Sequence, residues 1–169
     1  MPRVLIPPDL WNSGPYSATY IDDPLTPDKI ADVERTLGYR LPAAYVELMR
    51  SQNGGLLKRG TVHPMNQRTS WSSDHIAITG IFAIGRTSSH SLCGVTGSQF
   101  FIDDWGYPPI GVYFADCPSA GHDMVCLDYR ACGPQGEPAV VHVDEELDYR
   151  ITPVAPSFEA FIRGLEHRS

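Results

Sequence analysis

Between residues 26 and 55 the chain carries start and stop signals for two short helices, and that pair limits what the rest can pack into. Thr26-Pro27-Asp28 offers an N-cap hydroxyl, a proline at the first helical position and an acid in the positively polarised first turn. Ile30, Val33 and Leu37 follow at i, i+3 and i+7, one apolar stripe that ends at Gly38. A second helix opens at Pro42, whose fixed φ suits helix initiation. It carries Tyr45, Leu48 and Met49 and stops at Asn53-Gly54-Gly55, where positive φ costs little. Only Gly38-Tyr39-Arg40-Leu41 separates the two, so an αα-hairpin is predicted.

After Gly55 the texture changes to short β-branched and aromatic runs between turn residues. Leu56–Val62 reads as one or two strands, and His75–Ile84 as a strand bent at Gly80. Ser98–Trp105 fits a short helix. Ile110–Ala115 and Met124–Tyr129 flank the turn Cys117-Pro118-Ser119-Ala120-Gly121. Ala139–Val143 follows through Gly133-Pro134-Gln135-Gly136, completing an antiparallel meander. A last helix begins near Ser157, with Phe158, Phe161, Ile162 and Leu165 on one face. The expected class is α+β, helices packed on an antiparallel sheet.

Fifteen glycines and fifteen prolines suit a loop-rich fold, and 42% apolar residues suffice for a core. Pro2, Pro7, Pro8, Gly14, Pro15 and Pro24 mark residues 1–24 as an arm, to be pinned by Trp11, Tyr16 and Tyr20. Residues 25–169 are then a single domain. No apolar run approaches the ~20 residues that span a bilayer. Only three apolar residues precede Pro7-Pro8, too few for a signal-peptide core. A soluble, cytoplasmic chain is expected.

The net charge of −7 is unevenly spread. Residues 1–100 hold nine Lys/Arg against eight Asp/Glu, net +1; residues 101–169 hold four against twelve, net −8. An acidic C-terminal half repels nucleic acid and anionic lipid and attracts a basic partner. Of the thirteen basic residues only Lys29 and Lys58 are lysines, a codon bias expected of a GC-rich bacterial genome.

The chain lacks a nucleophile elbow, a phosphate loop, an H-E-x-x-H pair and a dinucleotide glycine motif. Cys93, Cys117, Cys126 and Cys132 form no C-x-x-C pair and match no zinc-finger spacing, so free thiols are expected, with no metal or cofactor. His63, His75, His90 and His167 stand singly.

Three clusters remain. His122 and Asp123 sit at a hairpin end, with Asp116 leaving the preceding strand; simple pairing sets Asp116 against Asp123. A general-base histidine, a metal site, a partner contact or a solvated turn all fit. Asp103, Asp104, Trp105 and Tyr107 put two acids beside two large aromatics, which suits a protein-binding surface or a cover over the core edge. Asp144-Glu145-Glu146 and Asp148 form a second acidic knot, either a solvated loop or part of the same face. A Cys126–His142 nucleophilic pair is formally open, although packing suits Cys126 better.

Leu41-Pro42-Ala43-Ala44-Tyr45 running into Asn53-Gly54-Gly55 resembles the LP-x-x-[YF] … NGG signature of the SUKH superfamily, which includes fungal cell-wall synthesis regulators and bacterial immunity proteins. Trp105-Gly106-Tyr107-Pro108-Pro109-Ile110 resembles the W-x-YP turn of that superfamily, and Asp123–Tyr129 the strand that follows. The similarity spans residues 26–165. It implies a curved antiparallel sheet of about five to six strands, no catalysis, and a toxin, often a nuclease, as partner. Leu41, Pro42, Tyr45, Asn53, Gly54 and Gly55 would be architectural. The expected partner contacts are Asp103, Asp104, Trp105, Tyr107, Asp116, His122, Asp123, Asp144 and Glu145. The alternatives are a small metal-dependent or His/Asp hydrolase built on Asp116, His122 and Asp123, and an intracellular regulatory scaffold.

Overall fold

A computed structural model describes residues 9–168 of the chain. The prolines at positions 2, 7 and 8 of the expected arm lie outside the described residues. Helix α1, Pro27–Leu37, is capped as its sequence predicts. The Thr26 hydroxyl accepts from the Lys29 N–H at 3.2 Å, and Gly38 closes the helix at φ 81°. Helix α2 covers Ala43–Ser51. Its Tyr45 is fully buried, and the hydroxyl donates to the carbonyl of Phe82. Beyond α2 the Asn53 side chain donates to the carbonyls of Asp23 (2.8 Å) and Ile84 (3.0 Å) and accepts from the Ile84 N–H (2.9 Å). One amide thus ties the helix exit to two distant segments. Gly54 has φ 86°, and a Cβ there would lie 2.2 Å from the Tyr20 carbonyl. Both backbone angle and space demand glycine.

The strands are β1 Gly55–Leu56, β2 Thr61–Pro64, β3 His75–Ala77, β4 Gly80–Ile81, β5 Gly111–Asp116, β6 Asp123–Asp128, β7 Ala139–Asp144, β8 Arg150–Ala155 and β9 Glu166–His167. Helix α3 is Ser98–Asp103 and α4 is Phe158–Gly164. Antiparallel pairing gives a six-stranded sheet, β1-β4-β5-β6-β7-β8, and a three-stranded one, β3-β2-β9. The fold is α+β. Two expectations change. The run His75–Ile84 is two strands, because the chain leaves the small sheet after Ala77 and joins the large one at Gly80. Leu165 leaves α4 in extended conformation and leads into β9 instead of extending the helical stripe.

Tyr45, Phe114, Phe158 and Phe161 pack into one aromatic core; the Tyr45 and Phe158 rings are 4.7 Å apart, and Phe114 meets Phe161 edge-on at 5.5 Å. The Ser157 hydroxyl caps α4 by accepting from the Ala160 N–H. Ahead of α1, Trp11 bridges to Leu57, and the Tyr20 hydroxyl donates to Asp116 at 2.6 Å. Tyr16 makes no such anchor: it is 80% exposed on a 3-10 turn, Pro15–Thr19.

Register settles the hairpin question. The β5–β6 pairing shifts between Tyr113 and Ala115, so Phe114 is the extra residue of a bulge. Asp116 therefore lies opposite Met124, and Asp123 lies opposite Asp144 in β7; the simple Asp116–Asp123 pairing does not form. Strand β6 is covered on both faces, so Cys126 is fully buried. Cys126 pairs with Val141 and His142 with Val125, which puts the two side chains on opposite faces and rules out a Cys126–His142 dyad.

Candidate partner-binding surface

Three connections meet beside one end of the large sheet: the loop from α3 to β5, the β5–β6 turn, and the 3-10 segment Glu145–Leu147 between β7 and β8. Trp105, half-buried, meets the His122 ring edge-on at 5.2 Å, and its carbonyl accepts from the Tyr149 hydroxyl. Gly121 makes that approach possible, since at φ 97° a Cβ would sit 2.9 Å from the indole. His122 Nδ1 lies 2.9 Å from Glu145 Oε2 and 3.0 Å from Glu146 Oε1. The hydrogen bond that His122 donates to Glu145, helped by the charge of both acids, raises the His122 pKa. Asp103 and Asp104 flank Trp105 and are exposed, as are Glu146, Leu147 and Asp148.

Of the expected contact residues, Trp105, His122 and Glu145 thus meet, joined by Glu146, while Asp103 and Asp104 are exposed just ahead of Trp105 and Asp148 just after Glu146. The other four lie in the interior, Asp116 at its edge. Tyr107 is buried, packs edge-on against Tyr113 and Tyr149, and donates to the Gly121 carbonyl at 2.6 Å. Asp116 is largely buried and accepts from Tyr20; burial pushes its carboxyl up to about 6, and its Oδ1 has no partner. Asp123 is buried between the Ser119 hydroxyl, which donates to Oδ1, and His142 Nε2, 2.8 Å from Oδ2. Asp144 is buried and accepts from the Ser70 N–H (2.9 Å) and hydroxyl (3.1 Å), latching the β2–β3 loop. Asp116, His122 and Asp123 take three different partners and do not converge into a hydrolytic site.

Sequence reasoning missed the group formed by Cys117, Asp123 and His142, whose ligand-type atoms lie within 4.8 Å of one another. The three come from separate segments with no motif spacing, and His142 sits in an apolar strand that reads as core. Burial and the nearby Asp123 and Asp116 carboxylates hold the Cys117 thiol well above its usual range. All four cysteines are free. A pocket of about 300 Å³ lined by Asp9, Leu10, Lys58, Thr61, Leu165, Glu166 and His167 contains none of the expected site residues.

The model of the SMI1 / KNR4 family (SUKH-1) matches residues 24–164. The chain belongs to that family. Comparison with curated proteins returns no match. The SUKH-1 match covers the helix pair, both motif turns and the whole acidic face. Domains of this family are immunity and regulatory modules, generally without catalysis, and they take protein partners such as toxins. Among the described residues no helix is long and apolar enough to cross a membrane.

Proposed function

We propose that this SUKH-1 chain is a cytoplasmic, non-enzymatic immunity protein that neutralises a toxin by covering a basic, nuclease-type surface. The carrying observation is the meeting of Trp105, His122, Glu145 and Glu146, with the exposed acids Asp103, Asp104 and Asp148 next to them in the chain. A site that handles phosphates is commonly positive, and an acidic cover associates with it fast and specifically. Trp105 supplies the large, partly buried aromatic that interfaces favour at their centre. Residues 1–24 serve as an arm on a single domain, a reading supported by the Trp11 and Tyr20 contacts.

The test is co-purification with the toxin domain encoded beside the gene, followed by inhibition of that domain's activity. Stoichiometric capture and inhibition are expected, both weakened by Asp103→Lys with Asp104→Lys. Capture indifferent to those changes and to salt would remove the acidic-face mechanism, and absence of capture would remove the immunity reading itself. Asp123→Lys is no test of binding, because a charge placed there disrupts the core.

A further inference from the structure

Beneath the acidic face lies a buried cluster of titratable side chains. Asp123 opens β6 and Asp144 closes β7; they stand directly opposite each other at 2% and 1% exposure. Like charges in cross-strand register repel, and buried charge persists only when paired or bound to metal. Among the described residues, neither acid forms an ion pair with Lys or Arg; the one cationisable group against Asp123 is His142, fully buried. Asp144 is occupied by Ser70 and stands opposite Arg150 of β8. Asp123 directs Oδ2 at His142 Nε2, and Cys117, 4% exposed, closes the triangle. His142 Nδ1 is buried without a partner, so Nε2 is the nitrogen the fold aims at the cluster.

We propose that Cys117, Asp123 and His142 form a three-ligand Zn²⁺ site that ties the β5–β6 turn to β7. A thiolate, a carboxylate and an imidazole are a donor set that favours zinc over calcium or magnesium. The Cys117 thiolate and the Asp123 carboxylate together balance the dication, while Asp144 keeps its Ser70 donors and faces Arg150 of β8. Loading releases the Cys117 thiol proton to solvent and leaves His142 neutral, protonated on Nδ1. Tetrahedral zinc sets its N, O and S ligands about 3.3–3.6 Å apart. The Asp123–His142 separation of 2.8 Å therefore opens by about half an ångström while the cysteine closes in. Ser119, bonded to the other Asp123 oxygen, orients the carboxylate from outside. Three protein ligands leave one coordination position.

The experiment uses the full chain, stripped with a chelator and reloaded with Zn²⁺ or Co²⁺. Expected are one zinc per chain retained after dialysis, a higher Tm on loading, and, with Co²⁺, a thiolate-to-cobalt charge-transfer band that Cys117→Ser abolishes. Absence of retained zinc together with absence of the band overturns the site. So does a thiolate band that persists unchanged in Cys117→Ser, which would place the ion on another of the free cysteines; zinc retained with no thiolate band would place it between His122, Glu145 and Glu146. If Cys117→Ser does not fold, the wild-type stoichiometry and band decide the matter alone.

Discussion

At the scale of single residues, His63 shows how packing sets a pH limit. Its ring lies parallel to Phe161 at 5.3 Å, Nδ1 meets the Pro64 carbonyl at 2.8 Å, and Nε2 is buried without a partner. Room for it exists because residue 164 is glycine: a Cβ there would stand 2.4 Å from Nε2. Burial lowers the His63 pKa below 6.5, which outweighs the opposing pull of Pro64 and Glu166. The unfolded chain therefore binds this proton more readily than the folded one. The contribution of neutral His63 is complete above pH about 6.5 and is lost as pH falls through the depressed folded value. Thermal unfolding followed from pH 7.5 down to 5 should show Tm declining, and His63→Gln should flatten part of that decline. A parallel decline in the variant would assign the pH dependence to other groups.

At the scale of elements, Asn53 and Ser157 make a graded pair. Ser157→Ala removes one exposed-end cap and should cost about 1 kcal/mol. Asn53→Ala leaves the Ile84 N–H and two carbonyls without their partner in a buried joint, and should cost about 2–4 kcal/mol. Urea unfolding of both variants measures the difference; equal costs would mean that the joint relaxes and takes up water. The same contrast explains what was legible beforehand. Caps and glycine stops act within a turn of chain, so α1, α2 and α4 can be read from Thr26, Gly38, Asn53 and Ser157. Strand β8 was hidden because Pro153 breaks its pattern, an arrangement an edge strand tolerates. The bulge at Phe114 has no sequence mark, yet it sets Asp116 opposite Met124 instead of Asp123, while the β6–β7 register sets Asp123 opposite Asp144. Burial of Tyr107, Asp123 and Asp144, and the meeting of Cys117 with His142, follow from that long-range register.

At the scale of the whole molecule, formal charge and presented charge differ. Of the twelve acids beyond residue 100, Asp123 and Asp144 are buried and Asp116 largely so. Asp128, Glu159 and Glu166 are paired with Arg130, Arg163 and Arg168. What remains for a partner is Glu137 and, grouped more closely, Asp103, Asp104, Glu145, Glu146 and Asp148, with His122, whose pKa the Glu145 and Glu146 carboxylates raise, lying against those two. A rim of this kind acts on encounter, whereas an aromatic at its centre acts on residence. The two roles separate kinetically. With the toxin domain as analyte, raising salt from about 50 to 500 mM shortens the Debye length several-fold and should lower the association rate steeply. Asp103→Lys with Asp104→Lys should lower it about tenfold at low salt and leave dissociation nearly unchanged. Trp105→Ala should instead speed dissociation by about 30-fold or more, the effect of losing a central aromatic worth about 2 kcal/mol. If Trp105→Ala leaves dissociation unchanged while the lysine substitutions slow association, the acids steer a partner that docks elsewhere on the surface.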